Sequence, residues 1–205
     1  ETDKQMFDFV FRSKFLQPDQ AKIYPCEVTP WTVIKQWYQS GKYKPYSEEN
    51  ERDLFEVVKY AMKICPPWVR LPRVIRDIPL SYIEAGNKYP NLRQMLTEEL
   101  EKEGGVTMDI RARECGRHPE YDIRDAVYKT RTYDTLGGTE YFISLESEDE
   151  KVIFGFTRLR IPDYSSVMNQ TEFDCIKRKG LIRELHVYGN LVPVGYRKDD
   201  DQQHK

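Results

Sequence analysis

Apolar positions recur along this chain at two different periods. In residues 47–65, Leu54, Val57, Val58, Ala61, Met62 and Cys65 fall at i, i+3, i+4, i+7, i+8 and i+11. That is one stripe of a 3.6-residue repeat, so the segment is predicted to be an amphipathic helix. Ser47 is placed to cap it, and Glu48, Glu49 and Glu51 suit the positive end of its dipole. Pro66-Pro67 ends it. Residues 68–78 read as a strand followed by a loop at 77–79. A second helix is predicted from Asn91, with Asn91 and Gln94 at capping-box spacing. Leu92, Met95, Leu96 and Leu100 form its apolar face, and Gly104-Gly105 stops it. Residues 108–113 are predicted to be a short strand. A strand–helix–strand order of this kind implies an α/β layer with parallel pairing.

After about Gly116 the period changes to two. Residues 117–138 begin as a polar linker and include a strand near 127–133. Residues 140–145 and 152–161 are β-rich runs joined by the acidic segment 146–150, an antiparallel hairpin. Residues 162–180 are polar, and 181–188 read as another strand. A boundary is therefore expected near 116–125, with α/β before it and mostly antiparallel β after it.

Composition narrows the class. At 13% aromatic and 39% hydrophobic residues a real core can form. The 32 basic residues are matched by 34 acidic ones, so RNA contact has to come from a local patch. Cys26, Cys65, Cys115 and Cys175 are far apart, with no Cys-x-x-Cys pair. This argues against a disulfide framework, a zinc site or an iron–sulfur site within the chain, and fits a reducing, cytoplasmic setting. No signal peptide and no apolar run of membrane-spanning length are visible. Both ends read as interior positions of a longer chain.

Candidate chemistry is sparse. Basic residues interleave with aromatic ones at Lys42, Tyr43, Lys44 and Tyr46, at Trp68, Arg70, Arg73 and Arg76, and at Arg111, Arg113 and Arg117. Such groups can neutralise phosphates and stack on unpaired bases, and they can equally be solvated faces or ion pairs. His118, His186 and His204 stand at no metal-ligand spacing. His186 is expected inside a strand, opposite Leu185 and Val187, as a packed imidazole. Glu114 and Glu184 are acid–base candidates, and each also follows an arginine that could pair with it. No nucleophile elbow, P-loop or dinucleotide fingerprint is present.

Specific strings add a resemblance. Lys22-Ile23-Tyr24-Pro25, residues 41–46 (GKYKPY), residues 66–70 (PPWVR), and Arg73-Val74 with residues 76–79 (RDIP) are in the series. Asn91-Leu92-Arg93, residues 110–116 (IRARECG), residues 137–140 (GGTE), Arg158-Leu159-Arg160 and residues 181–193 (LIRELHVYGNLVP) complete it. In this order they resemble the catalytic-subunit family of Elongator, radical-SAM and acetyltransferase enzymes that modify wobble uridines in tRNA. Residues 26–31 (CEVTPW) depart from the common family version, which has Gly-Thr a little later.

The resemblance implies an α/β fold in which the C-terminal part of a radical-SAM partial barrel (residues 1–116) is joined by a linker (117–126) to the first part of a GNAT-type acetyltransferase domain (127–205). It implies acetyl-CoA-dependent, carboxymethyl-type modification at uridine C5. A protein lysine acetyltransferase is the alternative. Acetyl-CoA, S-adenosylmethionine and a 4Fe–4S cluster are the implied cofactors, with the cluster ligands outside this chain. Implied cofactor contacts are Lys22, Glu184, Leu185, His186 and Val187, with Gln203, His204 and Lys205 matching the start of the acetyl-CoA pyrophosphate loop. Lys44, Arg70, Arg73, Arg76 and Arg93 are implied tRNA contacts. Partners would be the tRNA anticodon region and, in a eukaryote, the other Elongator subunits, in the cytoplasm and also the nucleus. No resident metal on this chain and no membrane are expected.

Overall fold

A computed structural model describes residues 1–165, 173–189 and 195–196. The chain forms two compact units, Glu1–Phe11 with Pro18–Asp109, and Arg12–Gln17 with Ile110–Lys205. The fold is α/β.

The first unit is built on helices. α3 (Tyr46–Ile64) is the predicted amphipathic helix, and Leu54, Val58, Ala61, Met62 and Cys65 are all buried. They pack with Phe11 of α1 (Thr2–Arg12) and with Leu92, Leu96 and Leu100 of α4 (Leu92–Lys102) in one core. Each such side chain contributes about 1.5–3 kcal/mol by leaving water. The caps differ from expectation. Pro45 occupies the N-cap of α3, not Ser47, and no side chain caps it. Instead, Tyr46 Oη donates to Asp3 and Tyr38 Oη donates to Glu48 at 2.6 Å, tying the helix start to its surroundings. Asn91 is at the N-cap of α4, yet its backbone is not extended there and its side chain makes no capping bond, and the Gln94 side chain turns along the helix to Glu98. Gly104, at φ +75°, ends α4 as predicted.

The parallel pairing lies elsewhere than expected. β2 is only Arg70–Arg73 and pairs with β1 (Gln20–Lys22), Lys22 facing Arg73. Residues 108–113 are not a strand. Ile110–Arg113 form a single helical turn, α5, because Asp109, Ile110, Arg113 and Glu114 are the buried positions, a spacing that a helix satisfies. Between β1 and the short helix α2 (Val33–Gln39), Val28 pairs antiparallel with Ala85. The turn that follows places Trp31 at φ +60°.

The second unit is an antiparallel meander in the order β3 (Val127–Thr135), β4 (Gly138–Glu146), β5 (Ile153–Pro162) and β6 (Leu181–Val187). The predicted hairpin is β4–β5. On β4 alternate positions Glu140, Phe142, Ser144 and Glu146 are buried, so the period-two pattern holds with polar residues on the inner face.

Candidate functional site

In the first unit a cavity of about 300 Å³ opens beside the end of β1. Tyr24, Pro25 and Cys26 supply one wall, Tyr43 to Tyr46 another, and Leu54, Val57 and Val58 of α3 the apolar side. Its phenols are tied down. Tyr43 Oη donates to the Cys26 carbonyl at 3.0 Å, and burial raises the Tyr43 phenol above its ordinary value.

Glu27, which sequence reasoning passed over, carries the most perturbed carboxyl next to this cavity. Burial lifts it from 4.5 to about 7, against a backbone hydrogen bond from Asn87 that lowers it. Its Oε2 is buried without a hydrogen-bond partner. The carboxyl packs on Gly86, at φ +128°, where a Cβ would lie 1.8 Å from Oε2. A side chain there would displace the Glu27 carboxyl and strain the backbone. A carboxyl in this state can hold or release a proton near neutrality.

The predicted cofactor lysine, Lys22, is exposed at the end of β1 rather than buried. Among the predicted tRNA contacts, Lys44 and Arg76 are exposed and Arg70 is half-buried. Arg73 is exposed and 3.0 Å from Asp77. Lys44 lies 3.7 Å from Glu49. Arg93 is differently engaged. Its guanidinium grips the buried carboxylate of Asp109 through both oxygens, 2.7 Å to Oδ2, and also donates to the Leu71 carbonyl.

In the second unit the inner sheet face holds a chain of charges. Glu146 is fully buried and accepts from Arg131 at 2.6 and 2.9 Å, from Ser144 at 2.6 Å, and lies 3.0 Å from Arg113. Burial raises its carboxyl, but these donors outweigh that and leave it lowered. Glu140 joins Arg160 and Arg183. Glu184 pairs with Arg158 at 2.7 Å, and Arg158 lies over the rings of Phe142 and Phe156 at 5.3 and 5.1 Å. Glu114 pairs with Arg111. Both acid–base candidates therefore sit in ion pairs. His186 stacks on Phe156, centroids 5.6 Å apart, and lies 4.3 Å from Tyr188. Leu185 and Val187 are exposed on the other face. Among the described residues no strand pairs with the outer edge of β6. Gln203, His204 and Lys205 lie outside the described residues.

An α/β unit of this kind, with one strand pair backed by helices, matches the Radical_SAM C-terminal domain family over residues 18–102. The chain is similar along nearly its whole length to proteins named Elongator complex protein 3 and tRNA uridine(34) acetyltransferase. It is 36% identical over 95% of its length to the tRNA uridine(34) acetyltransferase of Methanocaldococcus jannaschii, covering 35% of that protein. It is 33% identical over its whole length to Elongator complex protein 3 of Bos taurus, covering 37% of it. The solved structure of archaeal Methanocaldococcus infernus Elp3 with an N-terminal deletion matches 99% of the chain and 47% of that one, with TM-score 0.79 and 33% identity. The chain thus spans about a third of the length of the curated relatives it matches.

The radical-SAM class implies S-adenosylmethionine and a 4Fe–4S cluster. The described residues do not fit the cluster. Cys65 is buried in the apolar core, where desolvation pushes its thiol up, and burial raises Cys115 as well, whereas a cluster needs thiolates. No three His, Cys, Asp or Glu side chains gather as a metal site among the described residues.

Proposed function

We propose that this chain is part of an enzyme that modifies the wobble uridine of tRNA, building a carboxymethyl-type group at C5 from acetyl-CoA. One observation carries the reading: similarity to a protein named tRNA uridine(34) acetyltransferase runs through 95% of the chain, not through one motif.

On this reading residues 1–116 are the C-terminal part of a radical-SAM domain, 117–126 a linker, and 127–205 the start of a GNAT-like acetyltransferase domain. Lys44, Arg70, Arg73 and Arg76 neutralise phosphates of the anticodon region. Arg93, gripping Asp109 and the Leu71 carbonyl, positions β2 rather than reaching out. Lys22, exposed beside Arg73, faces the reacting groups. The outer edge of β6 offers peptide groups that fit the amides of a pantetheine arm, with Glu184, Leu185, His186 and Val187 along it. Arg158 keeps Glu184 from reaching this edge as a free carboxylate. Gln203, His204 and Lys205, by their match to the start of a pyrophosphate loop, are further acetyl-CoA contacts on this reading. Acetyl-CoA, when bound, supplies the acyl group. In a eukaryote the other Elongator subunits are partners, and the setting is cytoplasmic or nuclear. The described residues include no helix long and apolar enough to cross a membrane.

The test is genetic and chemical. Deleting the gene is expected to remove C5 carboxymethyl-type derivatives from position 34 of tRNA, read by nucleoside mass spectrometry. Full restoration by the intact gene is expected. An unchanged nucleoside profile in the deletion strain sinks the reading.

A further inference from the structure

We infer that Trp31, backed by Tyr82, is a stacking platform for one unpaired nucleobase of the RNA, set on the same two chain segments as the cations Lys22 and Arg73. The inference rests on the RNA-modifying reading and names a contact within it.

Trp31 is 89% exposed, the most exposed large apolar side chain among the described residues. It also sits at φ +60°, where a residue with a bulky Cβ substituent is strained. The fold therefore gains no burial from this indole and holds it in an unfavourable backbone conformation. Cost without packing return points to use by a ligand. The turn is built to keep it there. Thr32 Oγ1 donates to the Thr29 carbonyl at 2.6 Å and accepts from the Lys35 N–H. The Val28–Ala85 pairing brings this turn against the segment carrying Tyr82. The two rings stand 6.4 Å apart at 55°, so Tyr82 steadies the indole and leaves its faces open.

Charge then selects the ligand. The segments carrying Trp31 and Tyr82 are paired at Lys22 and Arg73, nine residues before each ring. Nine residues reach at most roughly 30 Å, a span within the footprint of about 4–16 nucleotides usual for single strands. Lys35 is held by Glu84 at 2.6 Å in a partly shielded pair, whereas the Arg73–Asp77 pair is exposed on both sides and weak enough for a phosphate to replace the carboxylate. A single exposed indole with cations further along the same segments suits an unpaired base followed by its phosphates.

The test uses the full chain and an anticodon stem–loop RNA carrying 2-aminopurine in its loop. Stacking quenches that base, and binding is titrated at two salt concentrations. Trp31→Ala is expected to weaken binding about tenfold and abolish the quench. Trp31→Phe is expected to keep most of both, and Trp37→Ala, another exposed tryptophan, to change neither. The slope of log K against log salt is expected to stay the same in Trp31→Ala, since stacking releases no counterions. Thermal melting checks that each variant folds. Because Trp31 is not buried, no loss of fold is expected. RNA binding with an unchanged Kd and quench in Trp31→Ala overturns this inference alone, as does a Trp31→Ala variant that loses only a protein contact. A wild-type chain that binds no RNA overturns both the inference and the reading beneath it.

Discussion

At the scale of single residues, Glu27 is the group whose environment says most. Folded, it keeps its proton up to about pH 7, whereas an unfolded glutamate releases it near 4.5. Between those values the native state binds more protons, so its stability is full below about 4.5 and falls as pH rises through 7. Glu27→Gln is expected to flatten that part of the stability–pH curve and to raise Tm at pH 8 with little change at pH 4. Thermal melts across this range check it, and parallel curves for wild type and variant count against it. Nothing in the sequence marks Glu27. Its shift comes from burial, as Gly86, about sixty positions away, closes on it through the Val28–Ala85 pairing, while the Asn87 N–H opposes the shift. Trp31 was equally illegible, since exposure and backbone strain leave no periodic trace.

Among the elements, the inner face of the sheet makes its own prediction. Removing Glu146 leaves Arg113, 2% exposed, without its buried carboxylate, a loss of about 3–5 kcal/mol. Glu146→Ala is expected to lower the urea midpoint of the second unit accordingly. Acid should do the same to wild type. The stability that Glu146 supplies is whole above its ordinary carboxylate range and is lost as pH falls through its lowered folded value. A midpoint within error of wild type would falsify the role given to this pair. Long periodic segments were readable in advance: α3 and α4 from the 3.6 repeat, and β3 to β6 from alternation. The shorter ones were not. β1 has three residues, too few for a pattern. Residues 108–113 alternate polar and apolar side chains as a strand does, but Arg113 is buried by its ion pair, which moves the inward set to helical spacing. Alternation also hid the charges: Glu140, Glu146 and Arg158 look like solvent positions until their partners on neighbouring strands are known.

For the whole molecule, the near balance of 32 basic and 34 acidic residues means that RNA affinity has to be local. Arg73→Ala and Arg76→Ala in the full chain are each expected to reduce the salt slope of stem–loop binding by about 0.7, the share of one single-strand phosphate contact. Fluorescence anisotropy over a salt series measures it. Slopes equal to wild type for both variants would remove these arginines from the interface. The resemblance was legible from motifs that keep their order along the chain, and these fall on helix, strand interior and turn alike. The ion pairs of the expected tRNA-contact residues were not readable from the sequence. Arg93, from the same series, turned out to be clamped by a carboxylate sixteen positions away.

The strand order also bears on how the protein is made. Each strand of the meander after β3 pairs with its immediate predecessor, so registration can keep step with synthesis. Gln20 must instead wait for Arg70, fifty positions later (70 − 20), which at about 5–20 residues per second is a delay of roughly 3–10 s. On ribosomes arrested once Arg70 has cleared the exit tunnel, protease should begin to spare the Gln20 region. Sparing at earlier arrest points would mean that another partner shelters it first.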